Sequence, residues 1–416
     1  MKTSRREVLS MAGAAALAAL APQRAFAADA AVGLGSMTGD VQPIAGAEYL
    51  ARIERARALM AQQGIGALLI EPGASMVYFT GVHWQRSERL TAAILPREGA
   101  IAIVTPHFEE PSVRESLKVP SEVRVWNEDE DPLVIVAGVL RDRKVTARVA
   151  VEETVRFFAV DALRRAMPRL DIGSGAAVVR GCRMVKSAAE LALMQKAADI
   201  TIAAYRHTAP RIRPGMTPTD IGAMMDAAHA ALGAAPEFAL ILLGEASAYP
   251  HGSDQPQAVR PGEVVLMDCG CTVEGYQSDI SRTFVFGAAT PEQRKVWQQV
   301  HDGQQIAIET ARVGVAAGSI DDAVRAAYVN WGYGPGYKLP GLSHRTGHGI
   351  GLDGHEPVNL VHGERTALAP GMCFSNEPGI YLPGKFGIRL EDCFHMGAEK
   401  PVWFSTPPPS LDNPFG

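Results

Sequence analysis

Cysteine is scarce in this chain: Cys182, Cys269, Cys271, Cys373 and Cys393 are the five in 416 residues, an odd number with no CxxC spacing. That density excludes a disulfide scaffold and leaves buried thiols as the reading. Positive charge is also in short supply, with Lys+Arg 40 against Asp+Glu 45 and a net charge of -5. Without a basic stripe for phosphates, nucleic acid is excluded as a main partner, and a small-molecule or peptide substrate is expected. No low-complexity segment interrupts the chain, and 47% hydrophobic against 20% charged residues excludes disorder, collagen and coiled coil. Its length allows two or three domains, each with its own core.

Only one long apolar run is present, Val8 to Ala21, too short to span a bilayer comfortably. Lys2, Arg5 and Arg6 precede it and Ala25-Phe26-Ala27 follows, so residues 1–27 read as an export signal. Ser4-Arg5-Arg6-Glu7-Val8-Leu9 resembles the twin-arginine signal, which implies passage of a folded protein to the periplasm with no stable membrane insertion afterwards. Residues 28–45 read as a linker.

From Glu48 helical and strand patterns alternate. Glu48 to Gln63 has apolar residues at helical spacing, and short apolar runs follow at Ala67 to Ile70, Ala92 to Leu95, Ile101 to Val104 and Val149 to Val151. Helical stretches at Leu133 to Leu140 and Val160 to Met167 complete an α/β domain over 46–175, with a linker over 176–186. Ser187-Ala188-Ala189-Glu190 has capping-box spacing and opens a long helix at the start of a second domain, 187–400. Inside it a long helix, a shorter helix opened by Thr217-Pro218-Thr219-Asp220, and strands to Phe286 are followed by the same succession, from Thr290-Pro291 through Ser319-Ile320-Asp321 to strands ending near His395. The repetition predicts a pseudo-twofold α+β domain with a central antiparallel sheet. Residues 401–416, with Pro407-Pro408-Pro409, read as a tail laid on the surface.

The chemistry concentrates between His251 and Glu391. Val264 to Gly270 reads as a buried strand carrying Asp268, and Gly275 to Phe284 as its hairpin partner carrying Asp279. Two carboxylates in one pocket raise each other's pKa, and with Arg282 the only cation beside them a divalent metal is the natural partner. His344, His348 and His355 then crowd a glycine-rich stretch, and Glu377 and Glu391 each lie within an apolar, strand-like run. Four carboxylates and one imidazole make an oxygen-rich set suited to two hard or borderline ions such as Mn, Co or Zn.

Those five residues stand in recognisable frames: Asp268-Cys269-Gly270, Ser278-Asp279-Ile280-Ser281-Arg282-Thr283-Phe284, Gly347-His348-Gly349-Ile350-Gly351-Leu352, Asn376-Glu377-Pro378-Gly379-Ile380-Tyr381 and Gly387-Ile388-Arg389-Leu390-Glu391-Asp392. Together they resemble the creatinase, aminopeptidase P and prolidase metallopeptidase family over about residues 46 to 400, and Val77-Tyr78-Phe79-Thr80-Gly81 is a weaker local match. The resemblance implies an α/β amino-terminal domain followed by an α+β pita-bread catalytic domain, and two metal ions, manganese first with cobalt or zinc as alternatives. It makes Asp279 and Glu391 the bridging ligands, Asp268 a ligand to one ion, and His348 and Glu377 ligands to the other. Glu377 would also shuttle a proton from the attacking water to the leaving amine. His355 would stabilise the oxyanion, His251 would orient substrate, His344 would line the pocket, and Arg389 would support Glu391.

The implied substrates are proline-containing di- or oligopeptides. Dipeptidase activity is placed ahead of aminopeptidase P, with a metal-free hydrolase, a lyase or a non-catalytic relative as other readings. Where prolidases often carry an arginine for the proline carboxylate this chain has Asn359, with Arg365 nearby. A homodimer is implied by the resemblance, and His83 and Trp84 lie in a loop of the kind through which such dimers lend a residue.

Overall fold

The computed structural model describes residues 31–416 and divides into two units, residues 43–185 and residues 186–416 with 31–42. The export signal of residues 1–27 lies outside the described residues.

The first unit runs α1 (Gly46–Gln62), β1 (Ile65–Ile70), α2 (Ala74–Thr80), β2 (Ala92–Pro96), β3 (Ile101–Pro106), α3 (Glu110–Ser116), β4 (Ser121–Trp126), α4 (Pro132–Asp142), β5 (Arg148–Val151), α5 (Phe157–Ala166), β6 (Ile172–Ser174) and α6 (Ala176–Arg183). Its six strands form one sheet in the order β4-β3-β2-β1-β5-β6. Every residue of β2 and β3 is buried, which is why these segments read as unbroken apolar runs. Helix α1 buries Tyr49, Arg52, Ile53, Ala56 and Met60, a stripe at helical spacing, while Leu50 faces out. Helix α6 corrects the expected linker over 176–186. It buries Val178, Val179 and Cys182, and the Tyr78 hydroxyl donates to the Cys182 carbonyl at 3.0 Å, so the unit extends to residue 185. The eight-residue helix is too short for periodicity to declare it.

The second unit runs α7 (Ala188–Thr208), α8 (Pro218–Ala231), β7 (Ala235–Leu243), β8 (Val264–Val273), β9 (Tyr276–Gln277) and β10 (Ile280–Val285), then α9 (Pro291–Thr310), α10 (Gly318–Asn330), β11 (Gly347–Gly349), β12 (Glu356–Leu360), β13 (Cys373–Asn376), β14 (Gly379–Leu382), β15 (Phe386–Arg389), β16 (Asp392–Met396) and β17 (Pro401–Trp403). Capping boxes at Ser187/Glu190, Thr217/Asp220 and Thr290/Gln293 start α7, α8 and α9. Helix α10 has no such side-chain cap; the Gly318 N–H donates to the Glu364 carbonyl at 3.0 Å.

Each half contributes one antiparallel ladder, β10-β8-β7 with β9, and β12-β11-β13-β16-β17, and β14 and β15 form a separate hairpin. The ladders meet where Ser281 and Glu391 exchange backbone hydrogen bonds, at 3.2 and 3.1 Å. The expected tail is built into the unit: β17 pairs with β16, Asp412 pairs with Arg294, and the Phe415 ring lies against Tyr205 and Phe284. Residues expected as a leading linker also pack here, through the Met37 N–H to the Leu232 carbonyl at 2.8 Å and Asp40 to Lys196 at 2.8 Å. All five cysteines are free and buried. Among the described residues no helix is long and apolar enough to cross a membrane.

Phe374 on β13 is 1% exposed and packs on Phe394 of β16, with ring centroids 5.6 Å apart. Phe374→Ala is expected to destabilise the unit by about 3–5 kcal/mol, read from the urea midpoint. A change under about 1 kcal/mol would show that this layer is not core.

Candidate metal centre

Asp268 lies in the middle of β8, directly opposite Ser281 of β10 and Leu240 of β7. His348 is the central residue of β11. The other three acids sit at breaks in the strands rather than within them: Asp279 between β9 and β10, Glu377 between β13 and β14, and Glu391 between β15 and β16. At a break the backbone leaves its ladder and the side chain turns out of strict alternation, so acids from several strands converge. Ligand atoms of Asp268, Asp279 and Glu391 lie within 4.8 Å of one another, and so do those of His348, Glu377 and Glu391. Glu391 belongs to these two of the three close-set groups, the third being Asp279, His348 and His355.

Burial and mutual repulsion dominate the electrostatics. Burial first, and then the neighbouring Asp268 and Glu377, hold the Asp279 carboxyl well above its ordinary range; burial, then Asp279, does the same to Glu391. Burial pushes Glu377 up to about 7. One oxygen of Asp268 is buried without a hydrogen-bond partner. His348 Nδ1 lies 3.0 Å from the Gly349 carbonyl, which leaves Nε2 aimed at Glu377 (3.2 Å) and Asp279 (3.6 Å). Burial holds that imidazole well below its usual pKa, hence neutral, the form that ligates metal. An orphaned carboxylate oxygen, acids that resist ionisation together and a neutral imidazole fit a pair of divalent cations.

The protein cation at this site is Arg389, not Arg282. The Arg389 guanidinium lies 2.6 Å from Asp268 and only 3.8 Å from Glu391, so its main partner is the aspartate rather than the glutamate expected from sequence. Glu391 is held instead by the Ser281 hydroxyl at 2.8 Å. Arg282 points away into a fully buried ion pair with Asp392 at 2.6 Å and also donates to the Glu391 carbonyl at 2.9 Å. The Gln304 side chain donates to Asp392 at 3.0 Å, and its main-chain carbonyl accepts from the Asn376 side chain at 2.9 Å. The backbones beside Glu377 and Glu391 are thus fixed from behind.

The histidines separate by environment. His344 is half-buried, with Nε2 2.7 Å from the Tyr381 hydroxyl and Nδ1 3.8 Å from Glu377, and desolvation first, then Arg389, lowers its pKa to about 3. Asp321, buried in α10, accepts from the Thr346 N–H (3.0 Å) and hydroxyl (2.7 Å), fastening the chain between His344 and His348, and the Thr346 carbonyl accepts from the Glu377 N–H at 2.9 Å. His355 packs edge-on against His348 with centroids 4.1 Å apart, and its pKa is lowered, mainly by burial and then by Arg345. His251 lines a cavity of about 780 Å³ with Asp226, Phe238, Leu240 and Gln257. His83 and Arg365 are exposed, and Asn359 lies in register with His348.

Sequence reasoning missed Tyr381, Ser281, Asp321 and Arg345. Tyr381 and Ser281 stood in the quoted frames, where their polarity inside apolar runs was the available signal. Asp321 looks like an ordinary acid in the first turn of a helix.

Comparison with known proteins follows the same lines. The profile of metallopeptidase family M24 matches residues 192–398, and that of the creatinase/prolidase N-terminal domain matches residues 52–185. The chain is 34% identical to the probable dipeptidase PepE of Mycobacterium tuberculosis, covering 83% of this chain and 91% of that one. It is 31% identical to the Xaa-Pro dipeptidase of Lactobacillus helveticus, over 76% of this chain and 86% of that one. The crystal structure of dipeptidase PepE from Mycobacterium ulcerans superposes with a TM-score of 0.81 at 32% identity, covering 89% of this chain and 99% of that one.

Because Asp279, Glu377 and Glu391 bind protons more tightly folded than unfolded, their contribution to stability is present at low pH and is lost as pH rises through their raised pKa values, about 7 for Glu377. Metal-free protein is therefore expected to melt at a lower temperature at about pH 8 than at about pH 6, and added divalent ion should raise the melting temperature most at the higher pH. Calorimetry with and without chelator checks this; a metal-free protein that gains stability across that interval would contradict it.

Proposed function

The chain belongs to metallopeptidase family M24, with a creatinase/prolidase amino-terminal domain and a pita-bread catalytic domain, and on that premise we propose that it hydrolyses Xaa-Pro dipeptides. The observation carrying the reading is that Glu391 is shared by two donor triads in a pocket whose acids cannot all ionise unaided. The substrate class follows the relatives named as Xaa-Pro dipeptidases. Asp268, Asp279, His348, Glu377 and Glu391 would hold two divalent ions, manganese in our reading, with cobalt or zinc as alternatives. When bound, such ions polarise a carbonyl and lower the pKa of water.

The chain's own residues divide the remaining work. Glu377, with a pKa near 7, is suited to take a proton from the attacking water and deliver it to the proline nitrogen. His355, exposed beside His348 and with its pKa lowered, donates a hydrogen bond to the oxygen that becomes negative. His251, close enough for its charge to be felt at His344 and His355, orients substrate. Arg345 takes the part of the missing arginine at Asn359: it makes no ion pair among the described residues, and its charge is felt at His355 and Glu377. A proline carboxylate at that cation would confine substrates to dipeptides.

With manganese supplied, the protein is expected to cleave Ala-Pro and to leave Ala-Pro-Ala nearly untouched; the reverse preference would make it an aminopeptidase P. Glu391→Ala should lose metal and turnover together, whereas His355→Ala should keep metal and lose kcat by about 10²–10³-fold. Arg345→Met should raise KM for Ala-Pro by about tenfold or more and leave Ala-Pro-amide unaffected.

We further propose export to the periplasm by the twin-arginine-type signal and assembly as a homodimer. Cell fractionation with mass analysis of the amino terminus should find the mature chain in the periplasm, and light scattering should give twice the chain mass. A cytoplasmic, uncleaved monomer would remove both proposals.

A further inference from the structure

His355 is exposed and packs edge-on against His348, whereas the next residue, Glu356, is buried. One oxygen of Glu356 accepts the consecutive backbone N–H groups of Leu352 (3.0 Å) and Asp353 (3.2 Å). Its other oxygen meets Lys186 Nζ at 2.9 Å, and both side chains are only 2–3% exposed. Lys186 is itself anchored, since its N–H donates to the Gly371 carbonyl at 2.8 Å. The turn closes tightly over the pair: a Cβ on Gly351 would lie 2.7 Å from Lys186 Cε and 2.9 Å from the Glu356 carboxylate. Gln277 grips the same turn through its N–H to the Gly351 carbonyl at 2.9 Å. Glu356 begins β12, opposite Gly349, the neighbour of His348.

A buried lysine and glutamate are rarely retained for stability alone, because desolvation offsets most of their attraction. This pair instead occupies the inside of the turn whose outer end carries His355.

We propose that Lys186 and Glu356 are positioning residues that act through the turn 351–355 to fix His355 over the metal site, setting the turnover rate without touching substrate or metal. The inference rests on the role given above to His355. The arrangement separates two duties: the strand β11 holds the ligand His348, while the ion pair holds its neighbour in the cleft.

The test compares wild type with Glu356→Gln and with the double variant Lys186→Met, Glu356→Met, all as full-length metal-loaded protein. The double variant leaves no unpaired buried charge, so it reports even where the single variant folds poorly. Hydrogen exchange across residues 351–355 is expected to quicken by about tenfold or more, with the stretch around His348 unchanged. For Ala-Pro, kcat is expected to fall about 10–100-fold, with KM and metal content within about twofold of wild type. Unchanged exchange in the turn overturns the proposal whatever the activity. Loss of metal along with turnover also overturns it, since the pair would then be bracing the ligand strands. Wild type inactive on every Xaa-Pro peptide would defeat the assigned function, while the exchange measurement still decides whether the pair holds the turn.

Discussion

Four carboxylates facing one another in a largely buried pocket are the constraint around which the second unit is organised. Ionised together without a counter-charge they repel strongly at low dielectric, and burial and mutual repulsion hold Asp279, Glu377 and Glu391 above their ordinary range. One guanidinium, Arg389, reaches the set, and its bond goes to Asp268. The remaining negative charge calls for cations from solution. Because those ligands come from both halves of the unit, ion binding and the joining of the halves are coupled.

The joint itself is built with care for polar groups. Ser281 and Glu391 exchange backbone hydrogen bonds, the Ser281 side chain holds the Glu391 carboxylate, and the Thr283 hydroxyl donates to the Arg389 carbonyl at 2.6 Å. Behind it the Arg282–Asp392 pair is joined by Gln304 and Asn376, while Arg282 Nε, Gln304 Oε1 and Asn376 Oδ1 stay buried without a partner among the described residues. Such a network adds little net stability over an apolar core, but removing one partner strands a buried charge. Its value lies in fixing Glu377 and Glu391 to a few tenths of an ångström, which a two-ion site requires.

Duplication explains the division of labour. The first helix-helix-strands half supplies Asp268 and Asp279 from one ladder; the second supplies His348, Glu377 and Glu391 from the other. The second half carries His344 and His355, with His251 in the first, and it also carries Asp321 and Glu356, buried acids spent on backbone N–H groups rather than on metal. A buried carboxylate satisfied by two N–H groups is rigid, so each anchors the histidine next to the segment it holds.

The capping boxes, the apolar runs and the five ligand frames were legible in the chain because each is local: a capping box spans four residues, and a strand needs only its own pattern. Acids placed inside apolar runs announced the metal ligands, since burial of an unpaired carboxylate is too costly to be accidental in four frames at once. What the chain could not show was partnership. Arg282 and Arg389 look alike in sequence, and only the register of β8, β10 and the strands after Glu377 turned one toward Asp392 and the other toward Asp268. In the same way Lys186 and Glu356, 170 residues apart, became a pair through folding. Local chemistry is written in the order of residues, whereas the choice among equivalent charges is made by distance, which the tertiary fold alone sets.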